Sequence, residues 1–154
     1  MMELEVFPKE MRRRVLEIGQ VLRMEMFPED IVHPKKGKVS KEKRFVIIGK
    51  HDNTVVAALL INSQINEKRF IEIGPYQHLI SSNQYDFLDH DSFVDGYLIR
   101  EFNAERVLAS AEYLGHLQED DVRECIAHAV ASPKIKPYML KRYGLNNRFP
   151  DERK

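Results

Sequence analysis

Apolar residues recur at steps of three or four near the start of the chain, at Met11, Val15, Ile18, Leu22 and Met26. With Pro8 suited to a first turn, that spacing predicts an amphipathic helix over 8–26. "FPED" and "HPKKGK" then break helical continuity, leaving Ile31 and Val32 as a short strand between them. Two dense apolar runs follow, "RFVIIG" (44–49) and "TVVAALLIN" (54–62), separated by the turn-forming "KHDN". The spacing predicts an antiparallel hairpin, and the unbroken apolar character predicts arms buried on both faces. "RFIEIG" (69–74) alternates as a half-exposed strand should. "YLIREF" and "EYLGHL" are two further strand candidates, with "NAERVLAS" between them as a helical turn. From Glu119, "EDDVRECIAHAVAS" places Val122, Ile126 and Ala129 or Val130 at helical spacing, with acids in the first turn where the helix dipole favours them. Pro133 ends that helix, "KPYMLKRYGL" adds a turn or two, and the tail "NNRFPDERK" is expected to fray. The prediction is a mainly β, α+β chain: five or six short antiparallel strands between an N-terminal and a C-terminal helix, with no parallel βαβ pattern.

Composition narrows the class. A chain of 154 residues that is 43% hydrophobic is large enough for one ordinary domain with a real core. Twenty-four Lys and Arg balance 24 Asp and Glu, so attraction to a polyanion must arise locally. The single cysteine, Cys125, excludes an internal disulfide framework and cysteine-rich zinc sites. No apolar run approaches membrane-spanning length and no secretory leader pattern is present, so a soluble cytoplasmic protein without membrane association is expected.

Two segments depart from neutrality. From Pro34 to Arg44 stand Lys35, Lys36, Lys38, Lys41, Lys43 and Arg44 against Glu42 alone; a glycine-containing loop of that charge can grip phosphates, or simply solubilise the surface. Aromatics for base stacking are few nearby: Phe45 and Phe70 are the nearest, and both are expected in the core. From Gln84 to Gly96 stand Asp86, Asp89, Asp91 and Asp95 without a cation. Their spacing fits neither an EF-hand nor a helical histidine pair. The favoured reading has the aspartates capping turns while Phe87, Leu88, Phe93 and Val94 bury. No metal or cofactor is expected; a weaker alternative is a metal-dependent phosphoesterase built on His78, Asp89, His90 and Asp91.

The segments "EDIVHPKKGKVSKEKRFVIIG", "TVVAALLINSQIN", "VDGYLIREF" and "YLGHLQEDDVRECI" together resemble the core of the MazF and PemK growth-inhibiting toxins, over about residues 29–130. The resemblance implies a small SH3-like antiparallel barrel spanning 29–132, flanked by a helical extension at 1–28 and a helical turn and tail at 133–154. It also implies a homodimer that cleaves single-stranded RNA without metal and is restrained by an antitoxin protein. Carried over by position, Arg44 matches the arginine opening the first apolar strand, Ser63 the hydroxyl residue closing the second, and Arg100 the arginine of a later strand. Phe45 stands where the family commonly has proline, and Val39 where some members have a loop glutamate, so a catalytically inactive barrel acting as a binding or regulatory module is the alternative.

Metal-free RNA cleavage uses the 2′-hydroxyl as nucleophile. The protein must remove its proton, stabilise a dianionic phosphorane and protonate the leaving oxygen. Arg44 suits the second task, because a guanidinium stays charged and holds two oxygens at once, and Ser63 can donate to the same phosphate. Glu42 and His33 are the available bases. Lys35, Lys36, Lys38, Lys41, Lys43 and Arg100 are the candidate RNA-binding cations.

Overall fold

The computed structural model describes residues 16–30 and 32–147. It contains seven strands: β1 (Gln20–Met26), β2 (Lys41–His51), β3 (Val55–Asn62), β4 (Gln77–Ile80), β5 (Ser92–Asp95), β6 (Arg100–Asn103) and β7 (Glu112–His116). Helices are α1 (Phe70–Ile73), α2 (Ala104–Ser110), α3 (Glu119–Ala131) and α4 (Pro137–Arg142). The predicted hairpin is the centre of the sheet. Asp52 and Asn53 take positive φ angles of 52° and 59°, the left-handed central pair of a tight turn that Thr54 N closes by donating to His51 O at 3.0 Å. The strand order is β4-β5-β3-β2-β1-β7, with β6 also paired to β3, and every ladder is antiparallel. The long β3 carries two partners in succession: β6 along Val55 to Ala58, then β5 at Ile61 and Asn62. The fold is therefore the mainly antiparallel α+β class predicted, with an open sheet whose terminal strands, β4 and β7, are not paired with each other among the described residues.

The pleat explains why both hairpin arms are continuously apolar. Phe45, Ile47, Val56, Ala58 and Leu60 pack on one face with Met24, Met26, Phe102 and Val107. Val46, Ile48, Ala57, Leu59 and Ile61 pack on the other with Ile80, Leu117 and the Val122, Ile126 and Ala129 face of α3. Alternate residues of the same strands thus fill two cores, the arrangement expected of strands covered on both sides. Phe45 and Phe102 rings meet at 5.3 Å between centroids.

Several expectations change. Of the helix predicted over 8–26, residues 20–26 form β1, residues 16–19 lead into it through a turn without helix, and residues 8–15 lie outside the described residues. Leu22 and Met26 share a face in a strand as well as in a helix, so four-residue spacing could not separate the two; the alternation of Leu22, Met24 and Met26 with Arg23 and Glu25 decides for the strand. "RFIEIG" is helical: a 3₁₀ turn at Glu67–Arg69 leads into α1. Asn66 caps that turn by accepting from Lys68 N at 3.0 Å, and Arg69 bonds Glu72 three residues on. Phe70, expected in the core, is exposed there beside Ile71. Val32 is buried but belongs to no strand, and Ile31 lies outside the described residues. Strand β2 begins at Lys41, so Lys41 and Lys43 sit on the sheet and not in the expected loop.

The remaining helices follow their local signals. Asn103 Oδ1 accepts from the amides of Glu105 and Arg106 at the start of α2. Glu119, Asp120 and Asp121 open α3, which stops at Ser132 before Pro133, and Pro137 occupies the first turn of α4. Among the described residues no helix is long and apolar enough to cross a membrane.

Candidate functional site

The last ladder pair of the central hairpin is Arg44 with Ile61. Beyond it the ladder ends, and the side chains of β2 from Lys41 to Arg44 line two adjoining cavities. The first, about 380 Å³, is lined by Arg23, Lys41, Glu42, Lys43, Arg44, Ile61, Asn62, Ser63 and Gln64. The second, about 290 Å³, is lined among others by His33, Lys41, Lys43, Asn62, Gln64, Arg69, Gln77, Asp95 and Arg100. Lys41, Lys43, Asn62 and Gln64 belong to both, so the two form one cleft divided by a wall of polar side chains. Cations outnumber acids on both sides of that wall.

Lys43 stands in the wall. Its side chain is half-buried, and its Nζ donates to Asn62 Oδ1. Burial, aided by the positive charges of Lys41 and Arg100, pushes its pKa down to about 8, against the opposing pull of Asp95. Arg100 is 8% exposed; its Nε donates to the Asp30 carbonyl at 3.1 Å. Burial lowers its pKa while Asp95 and Asp30 counter, and a guanidinium, so weak an acid to begin with, stays charged through such a change. The backbone acceptor is itself held in place. Arg106 grips the Asp30 carboxylate with two bonds of 2.8 Å, and Phe27 N adds a third at 2.9 Å. The Arg106 bonds hold the Asp30 carboxyl below the usual carboxylate range. Asp95 accepts from Gln77 Nε2 and Tyr97 N, each at 2.9 Å, which orients the one carboxylate of the second cavity.

Arg44, on the other side of the wall, lies 3.8 Å from Asp89. Its cross-strand partner Arg23 bonds Glu112 and stands 3.6 Å from Glu42.

Of the residues singled out in the sequence, Arg44, Ser63 and Glu42 line one cavity and His33 and Arg100 the other, with Lys41 and Lys43 between them. Lys35, Lys36 and Lys38 line neither cavity; they are exposed on a turn in which Lys38 N bonds Lys35 O and Gly37 takes a φ of 85°. Asn62, Gln64, Arg69 and Gln77 carried no chemical motif, and their only signal was position: they flank the ends of the apolar runs and the turn that follows. The acidic segment is architectural in part, as expected. Asp91 accepts from Ser82 N and Oγ, Asp95 caps the turn at Tyr97, and Asp89 faces Arg44. The four residues of the phosphoesterase alternative do not converge: His78 Nε2 lies 2.8 Å from Asp121 Oδ1, while Asp89 and Asp91 have the separate partners just named. Among the described residues no three His, Cys, Asp or Glu side chains form a metal-holding group.

Apart from the cleft, a polar cluster centred on Asp121 joins β4 to α3. Tyr85 OH donates to Asp121, accepts from Gln118 N at 2.9 Å, and has its pKa pushed up to about 12, chiefly by burial. Its bonds tie the acidic segment to the helix.

No family model matches this chain, and no curated protein does. Among solved structures it is similar to the crystal structure of MazE-MazF (Form-III) from Deinococcus radiodurans, at 11% sequence identity and a TM-score of 0.47, covering 73% of this chain and 91% of that one.

Proposed function

We propose that this chain is a metal-independent endoribonuclease that binds single-stranded RNA along the divided cleft and cleaves one phosphodiester by attack of the neighbouring 2′-hydroxyl. The observation that carries the reading is the shared wall of Lys41, Lys43 and Asn62 between a cavity holding Arg44 and Ser63 and a cavity holding Arg100 and His33. A chain of phosphates laid across that wall meets a cation on each side of it. Arg44 would face the equatorial oxygens of the phosphorane, and removing one such donor from an enzyme typically costs about 2.7–4 kcal/mol of transition-state stabilisation. Ser63 would donate to the same phosphate, and Glu42 or His33 would take the 2′ proton. Lys35, Lys36 and Lys38 supply further backbone attraction at the rim.

The same reading makes the protein a cytoplasmic growth-inhibiting toxin, acting as a homodimer and restrained by an antitoxin protein. An acidic segment laid in this cleft would displace RNA by matching its charge.

A second reading, a catalytically inactive module of this barrel-like open sheet that binds RNA or protein, is favoured by one specific contact. Asp89 sits 3.8 Å from Arg44, where it competes with a phosphate for the guanidinium. The two readings separate on incubation with mixed-sequence single-stranded RNA, with and without EDTA, beside Arg44→Ala. Cleavage that survives EDTA and is lost in the variant is the expected result. Binding without cleavage would establish the inactive module, and loss of cleavage on chelation would refute the metal-free mechanism.

A further inference from the structure

We propose that Lys43 is the general acid of the cleft, donating its proton to the 5′-oxygen that leaves the scissile phosphate. The proposal rests on reading the cleft as an RNA-cleaving site and adds the proton donor that reading lacks.

Position comes first. A phosphate held by Arg44 and Ser63 in one cavity, with its 3′ neighbour in the cavity of Arg100, puts the leaving nucleotide over the dividing wall. Lys43 is half-buried in that wall, and its Nζ is fixed by Asn62 Oδ1. Chemistry then selects among the neighbours. Arg23, Arg44, Arg69 and Arg100 are guanidiniums, which hold charge but release protons poorly. The amides of Asn62 and Gln64 are far too weakly acidic to release a proton, and Lys41 is exposed at the outer end of the strand. An ordinary lysine would also be too weak an acid, but burial and the adjacent charges of Lys41 and Arg100 bring Lys43 to about 8, close to where a proton donor works best. An incoming phosphate favours the protonated form; once the proton has gone, the same two cations favour the neutral amine.

The step balances without a further reactant. The 2′-oxygen forms a bond to phosphorus and gives its proton to the base. The bond from phosphorus to the 5′-oxygen breaks, its electron pair stays on that oxygen, and the proton of Lys43 Nζ joins it. The products are a 2′,3′-cyclic phosphate and a free 5′-hydroxyl, and exchange with water restores both side chains.

The test uses the full chain and two oligonucleotides that differ at one atom, the scissile linkage carrying either its natural 5′-oxygen or a 5′-sulfur, which leaves without protonation. Single-turnover rates are measured against pH for the wild type and for Lys43→Arg, with circular dichroism confirming that the variant folds. Wild-type cleavage of the oxygen linkage should fall as pH rises through the pKa of Lys43 in the complex, while the sulfur linkage shows no such fall; this comparison needs no variant. Lys43→Arg, which keeps the charge, should cut the oxygen linkage about 10²- to 10⁴-fold more slowly and the sulfur linkage within a few-fold of wild type. Equal loss on both linkages would make Lys43 a phosphate-positioning charge, and no loss on the oxygen linkage would remove it from the chemistry; either outcome overturns the proposal. If the wild type cleaves neither linkage, the cleavage reading itself fails.

Discussion

Lys43 should weaken the fold at neutral pH, and that cost is measurable without any RNA. Its pKa falls from the ordinary lysine value of 10.5 to about 8 in the folded protein. Each pH unit is worth about 1.36 kcal/mol, so the descent corresponds to about 3 kcal/mol in a dry site. Lys43 is half-buried and its charge is partly screened by water, which reduces the expected cost to about 1–1.5 kcal/mol. The folded state binds this proton less tightly than the unfolded state. The full cost is therefore present below pH 8, where both states are protonated; it shrinks between 8 and 10.5 as the folded state releases its proton, and vanishes above. Lys43→Met keeps much of the side-chain volume and removes the charge. It also removes the bond to Asn62, worth about 1 kcal/mol, so its stability at a single pH is ambiguous. The informative quantity is the change in the difference between variant and wild type from pH 7 to pH 10.5, measured by urea unfolding. Relative to the wild type, the methionine variant should be about 1–1.5 kcal/mol better at pH 7 than at the higher pH. A difference that does not move with pH, or moves the other way, would show that Lys43 is solvated in the fold and would remove the basis for treating it as a poised acid.

Other expectations test the frame around the cleft. Asp30→Asn should lose about 1–2 kcal/mol at pH 7. Because Arg106 lowers the carboxyl pKa in the folded state, the wild type loses that contribution as pH falls through the folded pKa, and the variant should show a shallower decline in stability below about pH 4. Phe45→Ala removes a fully buried ring and should cost about 3–5 kcal/mol in urea unfolding. Gly96→Ala would place its new methyl 2.8 Å from both His128 Cβ and Tyr76 O, so a loss of about 1–3 kcal/mol is expected. RNA affinity should fall with salt, and Lys41→Ala should reduce the slope of log affinity against log salt by about 0.7, the single-strand contribution of one phosphate; an unchanged slope would place Lys41 outside the RNA path.

The central hairpin was legible because two signals agreed: a turn that needs left-handed residues, supplied by Asp52 and Asn53, and apolar runs that need cover on both faces. Helix α3 was legible from its acidic first turn and Pro133. Strand β1 was misread because Leu22 and Met26 satisfy either period, and α1 because Ile71 and Ile73 on either side of Glu72 satisfy strand alternation while Asn66 and the Arg69–Glu72 pair turn the backbone into a helix. Tertiary contact settles such ties. The four-residue strands β4 and β5 carry too few positions for a period, and they exist because the end of β3 offers β5 an edge.

The site follows the same rule from the opposite direction. Arg44 and Ser63 could be paired from sequence because they stand at the ends of two arms whose register the hairpin fixes, so their meeting at one cavity needed only the turn. Arg100 and His33 meet across a long separation, and nothing in their local sequence says that the Asp30 backbone, clamped by Arg106, holds the arginine in place. Lys43 was legible only as one cation among six; its distinct chemistry comes from the pleat. Alternation that sends Phe45 and Ile47 into the core sends Lys43 to the mouth of that same face, against Arg100 on β6, whose register sets it opposite Ala58. A charge in the loop would have been solvated and ordinary. Placed one step outside the core on a rigid strand, it is desolvated by its neighbours and pressed towards a neutral amine, which is the condition that makes an anionic ligand and a transferable proton useful to the same side chain.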